Sequence, residues 1–108
     1  MEAGKLDRRI RLERIVATRD ELNSPVEQWL ELATVWASKL DVRDSERFAS
    51  AGVGAEIGTR FQIRHSKAVA DLNPKDRLVF DGRAYDIVGV KEIGRREGLE
   101  ISALARAD

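Results

Sequence analysis

Along most of the chain apolar residues recur at every second position, the period of a strand with one buried face. Ile10, Leu12 and Val16 alternate with Arg9, Arg11 and Glu13, which predicts a first strand near residues 8–16. After a loop across 17–25, residues 26–42 carry Leu30, Leu32, Trp36, Leu40 and Val42 on one parity and Glu27, Glu31, Lys39 and Asp41 on the other. Trp29 and Val35 break that separation, so this second strand is expected to bend or bulge as it leaves one sheet face for another. Thr59, Phe61, Ile63 and His65 alternate with Arg60, Gln62 and Arg64 in a third strand. Leu78-Val79-Phe80, the turn Asp81-Gly82 and the run Tyr85–Val90 form a hairpin, because Gly82 accepts the positive φ that a primed turn demands. A second hairpin turns through Gly94-Arg95-Arg96-Glu97-Gly98 into Leu99, Ile101 and Ala103, which alternate with Glu100 and Ser102.

One segment departs from this pattern. Residues 44–51, Asp-Ser-Glu-Arg-Phe-Ala-Ser-Ala, offer an N-cap in Asp44 or Ser45 and an acid, Glu46, in the first turn, which predicts a helix of two or three turns. Gly52-Val53-Gly54 stops it, and Gly58 extends the tether into the third strand. The fold class is therefore mainly β, a small antiparallel barrel or sandwich of five to six strands with one short helix inserted after the second strand. The chain, 1–108, reads as a single domain, since nothing in it resembles a linker, a repeat or low complexity. The large residues of consistent parity name the expected core: Ile10, Leu12, Leu32, Trp36, Phe61, Ile63, Leu78, Phe80, Tyr85, Ile87 and Ile101.

Composition narrows the chemistry. With no cysteine and one histidine, thiol nucleophiles, Fe–S clusters, thiolate zinc sites and paired-histidine metal sites are excluded. The 19 basic and 19 acidic residues cancel, which argues against a domain dedicated to gripping nucleic acid. Met1-Glu2-Ala3-Gly4-Lys5 opens no apolar leader, and no apolar run reaches the roughly 18 residues of a membrane span, so a soluble protein is expected.

The remaining candidates each carry a plain structural reading beside the chemical one. His65 continues the alternation of Phe61 and Ile63 and reads as a partly buried strand histidine, because no local motif supplies a nucleophile and orienting partner. Asp41 with Asp44, or Asp81 with Asp86, offers oxygen for a hard cation, yet neither pair has the spacing of a calcium loop. Gly52-Val53-Gly54 with Gly58 lacks the Gly-Lys-Ser/Thr ending of a phosphate loop and reads as a tether. Arg8-Arg9 and Arg95-Arg96 have acids close by and read as solvated faces. Trp29 and Trp36 are able to stack nucleobases on a small barrel, but with six aromatics in the chain they are expected in the core. No cofactor and no metal are implied. A small carboxylate hydrolase would need converging acids in a cleft.

The order of the motifs goes further. Gly4-Lys5-Leu6 followed by Arg9-Ile10 and Leu12, then Val35-Trp36-Ala37, Glu46, Phe61-Ile63-Arg64, Asp76-Arg77-Leu78 and Asp81-Gly82-Arg83-x-Tyr85-Asp86-Ile87 resembles the phage head-tail joining family. These are the head-completion, stopper or head-closure proteins of tailed phages and gene-transfer particles. Glu92-Ile93-Gly94-Arg95-Arg96 and Leu99-Glu100-Ile101 are similar to that family's last hairpin, so the resemblance covers nearly the whole chain. The departure lies around 17–28, where Asn23-Ser24-Pro25 replaces a Gly-rich turn.

The resemblance implies a structural protein rather than an enzyme, on a small β-barrel with a long insertion after the second strand. It implies a ring of copies of this chain in the neck of the particle, assembled in the bacterial cytoplasm. Its neighbours would be the portal or adaptor ring on the head side and the tail terminator or tail tube on the other. Double-stranded DNA would pass through without sequence-specific contact, and no membrane is involved. An adaptor or tail-terminator ring component, or a small nucleic-acid-binding barrel, is the alternative. The insertion maps onto 43–58, which makes Asp44, Glu46, Arg47, Phe48, Gly52, Gly54, Glu56 and Gly58 the channel or gate candidates. The plainer reading is that this helix packs on a neighbouring subunit with Phe48 as its anchor.

Overall fold

In the computed structural model, which describes residues 5–41 and 58–106, six strands close into one antiparallel barrel. They are β1 (Arg8–Arg19), β2 (Pro25–Asp41), β3 (Thr59–Arg64), β4 (Arg77–Phe80), β5 (Arg83–Ile93) and β6 (Gly98–Ala105). Around the barrel their order is β1-β2-β3-β6-β5-β4, with β4 returning to pair with β1. The predicted mainly β barrel is thus present. Asp81 and Gly82 both take positive φ, 54° and 76°, so the β4–β5 turn has the primed geometry expected of Asp-Gly. The predicted helix over 44–51 lies outside the described residues; between β3 and β4 the chain forms a short 3-10 turn, Lys67–Val69.

Ile10, Leu12, Phe61, Ile63, Leu78 and Ile101 are almost wholly excluded from water, and Tyr85 and Ile87 nearly so. Phe61 is the centre, edge-on to Phe80 at 5.9 Å and to Tyr85 at 5.5 Å between ring centroids. Leu32 and Phe80 pack on this cluster but stay partly exposed. Val69 and Leu72, from the connection between β3 and β4, join the core together with Ala37, Leu99 and Ala103.

The second strand departs from its predicted facing. Leu12 pairs with Ala33 and Glu13 with Glu31, so Leu32 is an extra residue in β2, a bulge of the kind expected there. Beyond it the parity reverses. Ala33, Val35 and Ala37 turn to the core, while Trp36 faces outward at 51% exposure. Trp36 is therefore not a core residue, and Leu30 and Leu40, placed on the same parity, are also largely exposed. A second bulge at Val88 shifts β5 against β6, which brings Val90 onto the core where simple alternation from Ile87 would turn it away.

The two long strands outgrow the barrel. β1 contacts β4 only over Ile10–Glu13, and β2 contacts β3 only over Ala37–Asp41. Among the described residues, Arg14–Arg19 and Pro25–Leu30 consequently pair only with each other, as a two-stranded arm. β1 runs three residues past its predicted end, and the predicted loop contracts to residues 20–24.

Candidate functional site

A free two-stranded ribbon is marginal in water, so the base of the arm has to be held. Two charged clamps hold it. On one side the Arg14 guanidinium grips Asp76 bidentately, Nε to Oδ1 and Nη2 to Oδ2, both at 2.9 Å. Its Nη1 donates to Asp71 Oδ2 at 2.9 Å. Asp76 is only 3% exposed and also accepts the Asn73 amide at 3.1 Å, so the β3–β4 connection and the arm share one carboxylate. Fork-to-fork geometry of this kind fixes an angle as well as a distance. The hydrogen bond from Arg14 holds the exposed Asp71 carboxyl below the usual carboxylate range, and the bonds to Asp76 and Asp71 push the guanidinium further up.

On the other side Glu13, 6% exposed, accepts Arg77 Nε at 2.6 Å and Arg11 Nε at 2.8 Å. Trp29 lies over this pair, its ring centroid 4.3 Å from the Arg77 guanidinium and 5.6 Å from that of Arg106. Arg106 in turn donates to Asp86 Oδ1 at 2.6 Å. Trp29 is thus engaged with cations on the barrel wall rather than packed in the core, its predicted place.

At the tip, Asp20 Oδ1 accepts the amides of Leu22 at 2.9 Å and Ser24 at 2.8 Å, while Asn23 adopts a φ of 62°. This closes the turn with side-chain hydrogen bonds in place of glycine. It also leaves Leu22 85% exposed between acidic neighbours and polar ones.

Where β2 and β3 part company, a groove of about 390 Å³ opens, lined by Leu6, Val35, Trp36, Arg64, His65 and Ser66. Arg9 covers one face of the Trp36 ring, 4.9 Å from its centroid. His65 follows the end of β3, half-buried, and its backbone amide donates to the Glu97 carbonyl at 3.2 Å. At the opposite end of the barrel, Lys39, Asp41, Thr59, Arg83, Tyr85 and Ala105 line a second cavity of about 290 Å³. The hydrogen bond from Lys39 Nζ, 2.9 Å, holds the Asp41 carboxyl low, with Thr59 Oγ1 donating to the same oxygen at 3.3 Å.

Of the channel candidates, Asp44, Glu46, Arg47, Phe48, Gly52, Gly54 and Glu56 lie outside the described residues; Gly58 is buried directly before β3. Asp81 sits in the β4–β5 turn and Asp86 faces Arg106, so the two do not form a cation site. Among the described residues no three histidine or acidic side chains converge in a metal-binding group, and no helix is long and apolar enough to cross a membrane. The clamps and the groove were not foreseen. Their residues are scattered in sequence, and the one local signal was Leu22 in an otherwise polar turn.

Comparison with known proteins follows the same lines. No curated protein matches the sequence. The solution structure of a protein from Shigella flexneri 2a superposes with a TM-score of 0.73 at 30% identity, covering 100% of this chain and 99% of that one. A chain of the virion of a native gene transfer agent particle has the same fold, with a TM-score of 0.65 at 24% identity over 92% of this chain and 93% of that one. The family model described as phage head completion protein matches residues 1–106, and the chain belongs to that family.

Proposed function

We propose that this protein closes the filled head of a tailed phage or gene-transfer particle as a ring between the portal-adaptor assembly and the tail. In this reading it retains packaged DNA and lets it pass on ejection. The observation that carries the reading is the family match over residues 1–106. The occurrence of the same fold within a gene transfer agent virion supports a place in the neck.

The barrel's own construction favours a ring. Phe61, Leu12, Ile63 and Leu78 fill its interior, so DNA has no path through a single copy. A duct has to lie between copies. A chain with no net charge also suits a channel that DNA slides along, because a strongly basic wall would displace counterions and hold the phosphates. The role is structural, and no catalytic step is assigned to it. Asp44, Glu46, Arg47, Phe48, Gly52, Gly54, Glu56 and Gly58 are proposed as the channel-facing or gating segment. The grounds are the glycine tether in the sequence and the family resemblance.

Deletion of the gene tests the reading. Expected are filled heads without tails that lose DNA on standing, rescued by supplying the protein. Tailed particles of normal infectivity or transfer activity would overturn it. Within such particles, Gly52→Ala with Gly54→Ala should impair retention or release of DNA while the urea midpoint of the purified protein stays unchanged. Normal retention and ejection would make the segment an interface element.

A further inference from the structure

We infer that the arm tip of one copy docks into the groove beside Trp36 of the next copy, which makes the ring contact head-to-tail. The inference rests on the connector reading above for its setting and on four structural observations for its substance.

The first is the shape of the tip. Leu22 stands 85% exposed on a turn whose backbone is fixed by Asp20 and Asn23, so it is presented as a rigid knob. The second is the shape of the groove. Leu6, Val35 and Trp36 give it an apolar floor, and a volume of about 390 Å³ accepts a leucine side chain together with part of its turn.

The third observation is charge. Asp20 and Glu21 flank the knob, and neither forms an ion pair with a described residue. Arg64 and His65 rim the groove, and Arg64 likewise has no ion-pair partner among the described residues. The two acids outweigh Arg19, whose Nη1 is turned onto the Asn23 carbonyl at 2.9 Å, so an apolar knob of net negative charge meets a basic rim around an apolar hole, the arrangement that selects partner and register.

The fourth is reach. Arg9 pairs with Trp36, and Asp20, just past the end of β1, lies eleven residues further on, about 36 Å of extended chain. Knob and hole sit toward opposite ends of a molecule 48 Å long, so a copy cannot fill its own groove. The two surfaces differ, which makes the contact heterologous: repeated from copy to copy, it closes into a ring or propagates as a filament. One turn in one groove buries far less than a stable dimer interface. Dilute protein should therefore stay monomeric, and the contact should form when a partner ring concentrates the copies.

The chain has no cysteine, so engineered thiols report this contact without background. Ser24→Cys, which leaves the Leu22 knob in place beside it, and Ser66→Cys are combined in one full-length chain, and the protein at millimolar concentration is treated with a short bis-maleimide. The expected result is a ladder of dimers, trimers and higher species. Either single variant alone should give no ladder, and a mixture of the two singles should stop at dimers. Glu21→Arg placed in the double-cysteine chain should weaken the ladder by about tenfold or more, and adding Arg64→Glu should restore it. Absence of the ladder, or a ladder indifferent to the charge swap, overturns the docking.

The same cross-link in purified particles separates this proposal from the connector reading. A neck ring of this chain that does not cross-link leaves the connector reading standing and removes the arm contact. Particles with no copies of this chain at the neck remove the connector reading itself, whatever the purified protein does.

Discussion

The barrel and the arm are made of the same two strands, yet they are held by different forces. In β1, Ile10 and Leu12 lie in the core with hydrogen-bonded neighbours on both sides. A few residues later Ile15 is exposed on a strand that has one neighbour only. Area removed from water stabilises the first region, at about 1.5–3 kcal/mol for each large apolar side chain. The second depends on two ionic clamps at its base and on Trp29 leaning against Arg77. The lesson is that a closed barrel is a finished object, whereas a ribbon projecting from it is an unfinished interface.

The comparison breaks first if the core is not where stability resides. Phe61→Ala should cost about 3–5 kcal/mol, read as a fall in urea midpoint at constant slope, because it removes the ring that Phe80 and Tyr85 contact edge-on. A shift of less than about 1 kcal/mol would place the weight elsewhere. Next in size is the seam between the regions. Asp76→Ala leaves the Arg14 fork and the Asn73 amide without their shared acceptor, and an expected loss of about 2 kcal/mol reflects an arginine that is itself partly solvated. Hydrogen exchange on that variant should quicken in residues 14–30 more than in β3 or β6; uniform quickening would mean that arm and barrel unfold as one unit.

Trp36→Ala should be milder, about 1 kcal/mol or less, since the ring is half exposed and loses mainly the Arg9 contact. A core-sized cost would refute its outward placement. The smallest effect concerns acid. The Asp41 and Asp71 carboxyls are held low in the folded chain, so the unfolded chain binds their protons first as pH falls. Their contribution is complete above the ordinary carboxylate range, near pH 4, and is lost as pH drops through the folded values. Melting temperature should therefore decline modestly below pH 4, and Lys39→Met should flatten the part due to Asp41.

Much of this was legible in the chain. The Asp81-Gly82 hairpin needed no tertiary information, because only a primed turn accepts two successive positive φ values at little cost. β3 and β6 were equally readable, since each keeps one parity throughout. β2 was not. Trp29 and Val35 announce that the strand bends, but the bulge falls at Leu32 because of how β1 pairs with it, so which residues change facing was not readable. Once the facing reverses, size misleads: Trp36 has the bulk of a core residue and the position of a surface one. Val69 and Leu72 escaped notice because they lie in a connection of one 3-10 turn and loop, too short and irregular to show a period. The groove brings together Leu6, Val35 and Arg64, whose proximity depends on barrel closure. Family membership was readable for the opposite reason, being spread over the whole chain in order.

The unpaired flank of β2 also bears on solubility. From Pro25 to Trp36 its backbone has no strand partner among the described residues on the side away from β1, which is a template for runaway sheet growth between crowded molecules. The chain guards it with the usual deterrents. Pro25 removes one amide at the start, Glu27 and Glu31 place like charges along the strand, and the Leu32 bulge twists the ribbon out of the flat geometry that amyloid-like stacking requires. A long strand edge can thus stay exposed at high protein concentration without seeding growth from copy to copy.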